Sequence, residues 1–135
     1  MNRVWQRLYL GDWDDATRLS SFNTDGINTV ITLCPEAVSS RDRRINYLHF
    51  PLSDCRPIPT GKFDAILDAI AENIRWGKVL LHCSAGMSRS PVMAASWMHA
   101  VGYKTFYAAL EEIAGLRPII DPSPALLKSA KEHLR

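Results

Sequence analysis

Apolar residues in this chain occur in two rhythms. Short runs of branched and aromatic residues, bounded by Gly, Pro, Asn and Asp, alternate with longer stretches in which apolar side chains recur every three or four positions. Val4 to Leu10 alternates in part and stops at Gly11, which predicts a first strand. Asp12 or Asp14 can cap the helix that follows, reaching Phe22, and Gly26 closes the turn. Ile27 to Leu33 reads as a second, buried strand, ended by Cys34-Pro35. Glu36 to Arg44 is polar, a loop or short helix, and Tyr47 to Leu52 is a third strand. Ser53 to Thr60 carries Pro57 and Pro59 and is loop.

Phe63, Ile66, Leu67, Ile70 and Ile74 then repeat at helical spacing, with Asp64, Asp68 and Glu72 on another face and Gly77 as the stop. Lys78 to His82 is a strand with an unbroken apolar centre, Val79 to Leu81. Further helices are predicted over Ser90 to Val101, over Thr105 to Ala114 (capped by Thr105, closed by Gly115), and over Pro122 to Leu134. Leu126, Leu127, Ala130 and Leu134 form the inner side of the last one. Strands alternating with helices imply an α/β domain spanning 1–135, with a mostly parallel central sheet of four to five strands flanked by helices. Ligands of such sheets bind at the C-terminal ends of the strands.

Composition narrows this only slightly. A chain of 135 residues suits one domain that buries roughly two-thirds of its unfolded surface. The formal charge of +2 is close to balance and selects no class of partner. Three cysteines, an odd number, fit reduced thiols in a cytoplasm. Met1 to Leu10 has no apolar signal-peptide core, and no stretch approaches the length of a membrane span. A monomer is expected, with no nucleic-acid partner, no membrane insertion, no metal and no cofactor.

The chemistry concentrates in Val79 to Pro91. A buried strand feeds a loop of small residues that opens a helix, with Pro91 in the helix's first turn. This arrangement binds anions. Cys83 opens the loop and Arg89 closes it, with five residues between them. If the loop curls around an oxyanion, the amides of Ser84, Ala85, Gly86, Met87, Ser88 and Arg89 all point inward, above a helix N-terminus. Gly86 permits the backbone angles that such a curl requires. Arg89 offers a planar fork for two phosphate oxygens. The same field favours thiolate over thiol at Cys83, which makes it a nucleophile.

The string His-Cys-x-x-Gly-x-Ser-Arg-Ser, over His82 to Ser90, is the signature of cysteine-dependent protein tyrosine phosphatases and most resembles their dual-specificity branch. Leu-Tyr-Leu-Gly at 8–11 and the Gly-Ile-x-x-Val-Ile-x-Leu pattern at 26–33 resemble the opening of the same domain. The resemblance thus covers nearly the whole chain. It implies a protein tyrosine phosphatase-like fold and hydrolysis of phosphoproteins or phosphopeptides through a phosphocysteine on Cys83.

It also implies roles beyond the loop. The family's general acid is an aspartate on the loop before the long helix. Asp54, twenty-nine residues before Cys83, fits that place, with Asp64 as the competitor. Ser90 matches the hydroxyl that assists release of the sulfur, and can also cap the helix. His82 fits a positioning residue better than a base. Cys34 resembles the position from which some members form a disulfide with the catalytic cysteine, with Cys55 a weaker partner. A chain this short has little room for the loop that deepens tyrosine-specific pockets, so phosphoserine and phosphothreonine should enter as well. Phosphoinositide phosphatases of the superfamily place lysine in the loop, whereas Ala85 and Met87 are neutral. Arg41, Arg43, Arg44 and Arg56 can recruit acidic substrates or form a solvated face. The competing readings are a phosphopeptide-binding module without turnover, a rhodanese-like sulfur transferase, and a lipid or RNA phosphatase of the same chemistry.

Overall fold

The computed structural model describes residues 1–134, so Arg135, the last residue of the expected domain, lies outside the described residues. Among them the chain runs β1 (Asn2–Trp5), β2 (Leu8–Gly11), α1 (Trp13–Arg18), β3 (Ile27–Thr32), β4 (Asn46–His49), α2 (Thr60–Ile74), β5 (Lys78–His82), α3 (Arg89–Ala100), α4 (Phe106–Leu116) and α5 (Pro124–His133). The sheet has five strands in the order β1-β2-β5-β3-β4. All neighbours are parallel except the β1–β2 pair. The mostly parallel α/β sheet expected from the sequence is thus present. None of the described helices is long and apolar enough to cross a membrane.

β5 lies at the centre, between β2 and β3, and is buried on both faces. Val79 and Leu81 enter the larger apolar core with residues of α2, α3, α4 and α5, such as Phe63, Met93, Ile113 and Leu126. Leu80 joins the smaller core with Tyr9, Val30, Ala16 of α1 and Leu19 just beyond that helix. This two-sided burial explains the unbroken apolar run of β5. Each fully buried side chain there contributes about 1.5–3 kcal/mol. The loop after β5 therefore rises from the stiffest part of the sheet, at its C-terminal edge.

Several boundaries differ from the sequence-based expectation, each for a physical reason. The expected strand Val4 to Leu10 is a hairpin, with Asn2 opposite Leu10 and Trp5 opposite Leu8. It reverses at Gln6, which adopts a φ of 37°. The turn carries no Gly, Asn or Pro, so it gives no turn signal. Asp12, not Asp14, caps α1, in a capping box with Asp15. The helix ends at Arg18, four residues before Phe22, where Ser20 turns its hydroxyl onto the Thr17 carbonyl. The ladder of β4 stops at His49 because Pro51 has no N–H, although Phe50 and Leu52 still donate to the Thr32 and Leu33 carbonyls at 2.9 and 2.8 Å. Thr105 caps α4 as expected, but Gly115 lies inside that helix, which ends at Leu116 with Arg117 as its C-cap before Pro118. α5 starts at Pro124 behind the cap Ser123, two residues after Pro122.

His82, the last residue of β5, joins the sheet to the loop. It is fully buried. Its Nε2 lies 2.8 Å from Thr32 Oγ1 on the paired strand, and its Nδ1 lies 3.1 Å from the Cys83 carbonyl. A carbonyl only accepts, so Nδ1 carries the proton and the Thr32 hydroxyl donates to Nε2 in the neutral ring. Burial holds the imidazole below its ordinary value of 6.5. Below that value the unfolded chain binds a proton that the folded chain refuses, so stability is full above it and declines as pH falls through it. Urea unfolding from about pH 7.5 down to about pH 5.5 should show this decline, and His82→Asn, which keeps a donor for the Cys83 carbonyl, should show a shallower one.

Candidate active site

The loop from Cys83 to Ser88 is held from outside by its carbonyls. The Cys83 carbonyl accepts from His82 Nδ1, and the Ser84 carbonyl accepts from the Trp13 amide at 2.9 Å. Gly86 O accepts from Arg117 Nε at 3.0 Å, and Met87 O from the Asp121 amide at 2.7 Å. Ser88 O accepts from the Val92 amide in the first turn of α3. With five of the loop's six carbonyls engaged in this way, its amides are free to turn to the other side. Those of Ser84 to Met87 have no acceptor among the described residues. Consecutive free amides are what an anion-binding nest requires, and the ring of external donors leaves them free.

Gly86 meets two demands at once. Its φ is +69°, and a Cβ would come within 2.7 Å of the Gly11 carbonyl and 2.6 Å of Arg117 Nη2. Gly11 closes β2, so the loop rests directly on the neighbouring strand.

Cys83 lies at the floor, 2% exposed, with its Sγ 3.4 Å from Ser90 Oγ. Ser90 is fully buried inside α3 and does not cap it; the cap position falls to Ser88. Arg89 crosses the mouth. Its Nη1 donates to the Leu52 carbonyl at 3.1 Å and its Nη2 to Ser84 Oγ at 3.4 Å. Its Nε is buried without a partner among the described residues, a donor left for a ligand. Both nitrogens of His82 are engaged away from the sulfur, which suits a positioning residue rather than a base.

A cavity of about 330 Å³ is lined by Cys83, Ser84, Ala85, Met87, Ser88, Arg89, Asp54 and Asp121. Asp54 thus reaches the same cavity as the thiol, whereas Asp64 lies exposed on α2 and does not line it. The loop that carries Asp54 is tied to the C-terminal part of the chain. Ser123 Oγ donates to the Asp54 carbonyl. Ile58 is held through its amide by Ser129 Oγ at 2.8 Å and through its carbonyl by His133 Nε2 at 2.7 Å. The Ser123 amide in turn donates to Ser88 Oγ at 2.9 Å, which joins the two loops.

Cys34 is buried just beyond β3, its thiol 3.6 Å from the Glu36 carbonyl. Burial raises its pKa, against the pull of the nearby Ser84 hydroxyl and the Arg89 charge. Cys55 is exposed. Arg41 sits over the Tyr47 ring and Arg44 pairs with Asp42 at 2.9 Å; neither lines the cavity. Arg56 lines a separate hollow with Lys62.

Trp13, Arg117, Asp121 and Ser123 carry much of this site and were not singled out in the sequence. Each reaches the loop from a distant segment, and none stands in a motif. The only local signal is the Pro118 and Pro122 punctuation around them.

Comparison with known proteins accords with this geometry. The family "Dual specificity phosphatase, catalytic domain" matches residues 8–134. Human dual specificity protein phosphatase 15 is 30% identical over 127 residues, covering 93% of this chain and 43% of that protein. Bovine dual specificity protein phosphatase 18 is 27% identical over 128 residues, covering 91% of this chain and 66% of its own. The chain therefore spans about half the length of the curated relatives it matches. The crystal structure of DUSP15 superposes on 99% of this chain and 86% of its own with a TM-score of 0.88 at 28% identity. A structure of Tk-PTP, at 21% identity and a TM-score of 0.81, shares the fold. By the match of residues 8–134 and the likeness to these relatives, the chain belongs to the dual-specificity phosphatase catalytic-domain family.

Proposed function

We propose that residues 1–135 form the catalytic domain of a protein phosphatase that hydrolyses phosphotyrosine and phosphoserine or phosphothreonine. The observation that supports this reading is one cavity lined by Cys83, Arg89, Asp54 and loop residues whose amides have no acceptor among the described residues. In the first step the Cys83 thiolate attacks phosphorus in line; the S–P bond forms as the P–O bond to the substrate breaks. The loop amides and Arg89 bind the equatorial oxygens. Asp54, protonated, gives its proton to the leaving oxygen. In the second step Asp54, now a carboxylate, takes a proton from water as that water attacks phosphorus. The S–P bond breaks, inorganic phosphate leaves, and Ser90 Oγ donates a hydrogen bond to the departing sulfur. His82 positions the Cys83 carbonyl.

Alkoxides leave less readily than a phenolate, whose conjugate acid has a pKa of about 10, so Asp54 matters most for phosphoserine. The neutral side chains of Ala85 and Met87 favour a singly phosphorylated residue over a highly charged inositol phosphate. We place the enzyme as a monomer acting on cytoplasmic phosphoproteins, with three free cysteines suited to a reducing compartment.

Cys34 serves as a redox partner in this reading. Peroxide oxidises the Cys83 thiolate to a sulfenic acid, and the Cys34 sulfur then displaces hydroxide to form a disulfide, with water as the by-product. Its support is a buried thiol near the Ser84 and Arg89 rim.

Turnover of p-nitrophenyl phosphate with EDTA present should be robust for the wild type and absent for Cys83→Ser. No turnover by the wild type would favour a phosphopeptide-binding module instead. Asp54→Asn should lower kcat by about a hundredfold or more for phosphoserine and remove the basic limb of the pH–rate profile. An intact limb would move the acid elsewhere. Ser90→Ala should slow dephosphorylation of the enzyme and raise the burst amplitude. Mass spectrometry of peroxide-treated protein should find a Cys34–Cys83 cross-link that dithiothreitol reverses; its absence would remove Cys34 from the scheme.

A further inference from the structure

The cavity holds a second carboxylate that the mechanism does not use. Asp121 lines it together with Cys83, Arg89 and Asp54, yet stands on a different segment, the connection between α4 and α5. It is fixed there by its neighbours. Its amide donates to the Met87 carbonyl at 2.7 Å, and two residues on the Ser123 amide donates to Ser88 Oγ at 2.9 Å. Pro122 between them locks its own φ and restricts Asp121 to extended backbone. The side chain is exposed, and no Lys or Arg pairs with it among the described residues. A rigid wall of the pocket therefore presents an unpaired negative charge toward any bound substrate.

We propose that Asp121 sets the flanking-sequence preference of the site: it selects phosphorylated residues with a basic neighbour and rejects those with an acidic or phosphorylated one. This rests on the phosphopeptide reading above. The phosphoryl group is taken by the loop amides and Arg89 at the floor, so the residues on either side of it cross the rim, where Asp121 stands. Asp54 is the other carboxylate of the cavity, but in the reading above it is engaged with the leaving oxygen of the scissile bond. Asp121 is thus the charge an arriving substrate meets at that wall. A lysine there gains an ion pair, a glutamate meets a like charge, and a second phosphate meets a larger repulsion. Between matched peptides differing only in that flanking charge, an exposed pair of this kind is worth about threefold to tenfold in affinity. The effect should weaken with salt, since the Debye length is about 10 Å at 0.1 M.

The test uses fluorescein-labelled phosphotyrosine peptides of one sequence with Lys, Ala, Glu or phosphoserine at each adjacent position. Binding is measured on Cys83→Ser, so that substrate persists, with and without Asp121→Asn. Turnover of the same peptides by protein retaining Cys83 is a separate readout. The expected order is Lys, then Ala, then Glu, then phosphoserine, on at least one side of the phosphotyrosine. Asp121→Asn should compress the Lys-to-Glu ratio by about threefold to tenfold, and about 0.5 M salt should compress it in the Asp121 protein. Equal affinities for the Lys and Glu peptides would overturn the proposal. So would a ratio that survives Asp121→Asn or that falls only with Asp54→Asn. If the charge order holds but no peptide is turned over, Asp121 keeps its role and the phosphatase reading fails. If peptides are turned over without a charge order, the reverse holds.

Discussion

The constraint on which this site depends is the outward turn of the loop's carbonyls. A peptide unit carries its donor and its acceptor on opposite sides, so a loop can gather its amides around an anion only if something else takes its carbonyls. Here the takers are His82, Trp13, Arg117, Asp121 and the first turn of α3. Without them the carbonyls would point their partial negative charge into the cavity, or be buried unpaired at about 1–3 kcal/mol each. The Cys83 thiol and the Arg89 guanidinium line the cavity around which this outer ring holds the loop.

The ring also explains why the site lies where the strands are most constrained. β5 is paired on both sides and covered on both faces, so the position of Cys83 is set by the sheet. His82 extends that control by one residue, bonding β3 on one side and the Cys83 carbonyl on the other. The loop that carries Asp54 has no backbone hydrogen bond to the sheet beyond Leu52 among the described residues. It takes its support from α5, through Ser123, Ser129 and His133. Ring stacking of His133 on Phe63, with centroids 4.7 Å apart, ties the same helix to α2.

Legibility in the sequence followed the range of the interactions. β5, α2 and α3 were readable because burial writes itself as an apolar run or a helical repeat. The floor and rim, Cys83 and Arg89, were readable because one loop holds both, and Asp54 because the family pattern carries its place. The hairpin at Gln6 was hidden, since a residue with an ordinary side chain occupies a positive φ there. The end of α4 was misplaced because Gly115 looks like a stop while Pro118 sets the boundary. Arg117 and Asp121 were invisible for a deeper reason. Their partners are backbone carbonyls of the loop, and a carbonyl leaves no trace of residue type.

The order of these parts along the chain has a consequence for biosynthesis. The residues that turn the loop's carbonyls outward and hold the acid-bearing loop are drawn largely from segments that leave the ribosome after the loop itself. A nascent chain that has emerged only as far as α3 already carries the thiol and the guanidinium. It lacks Arg117, the amide of Asp121, and the Ser123, Ser129 and His133 tethers. The outer ring around the loop is therefore closed only with the final helices, and until then the loop's carbonyls have only His82, the Trp13 amide and the first turn of α3 to engage them.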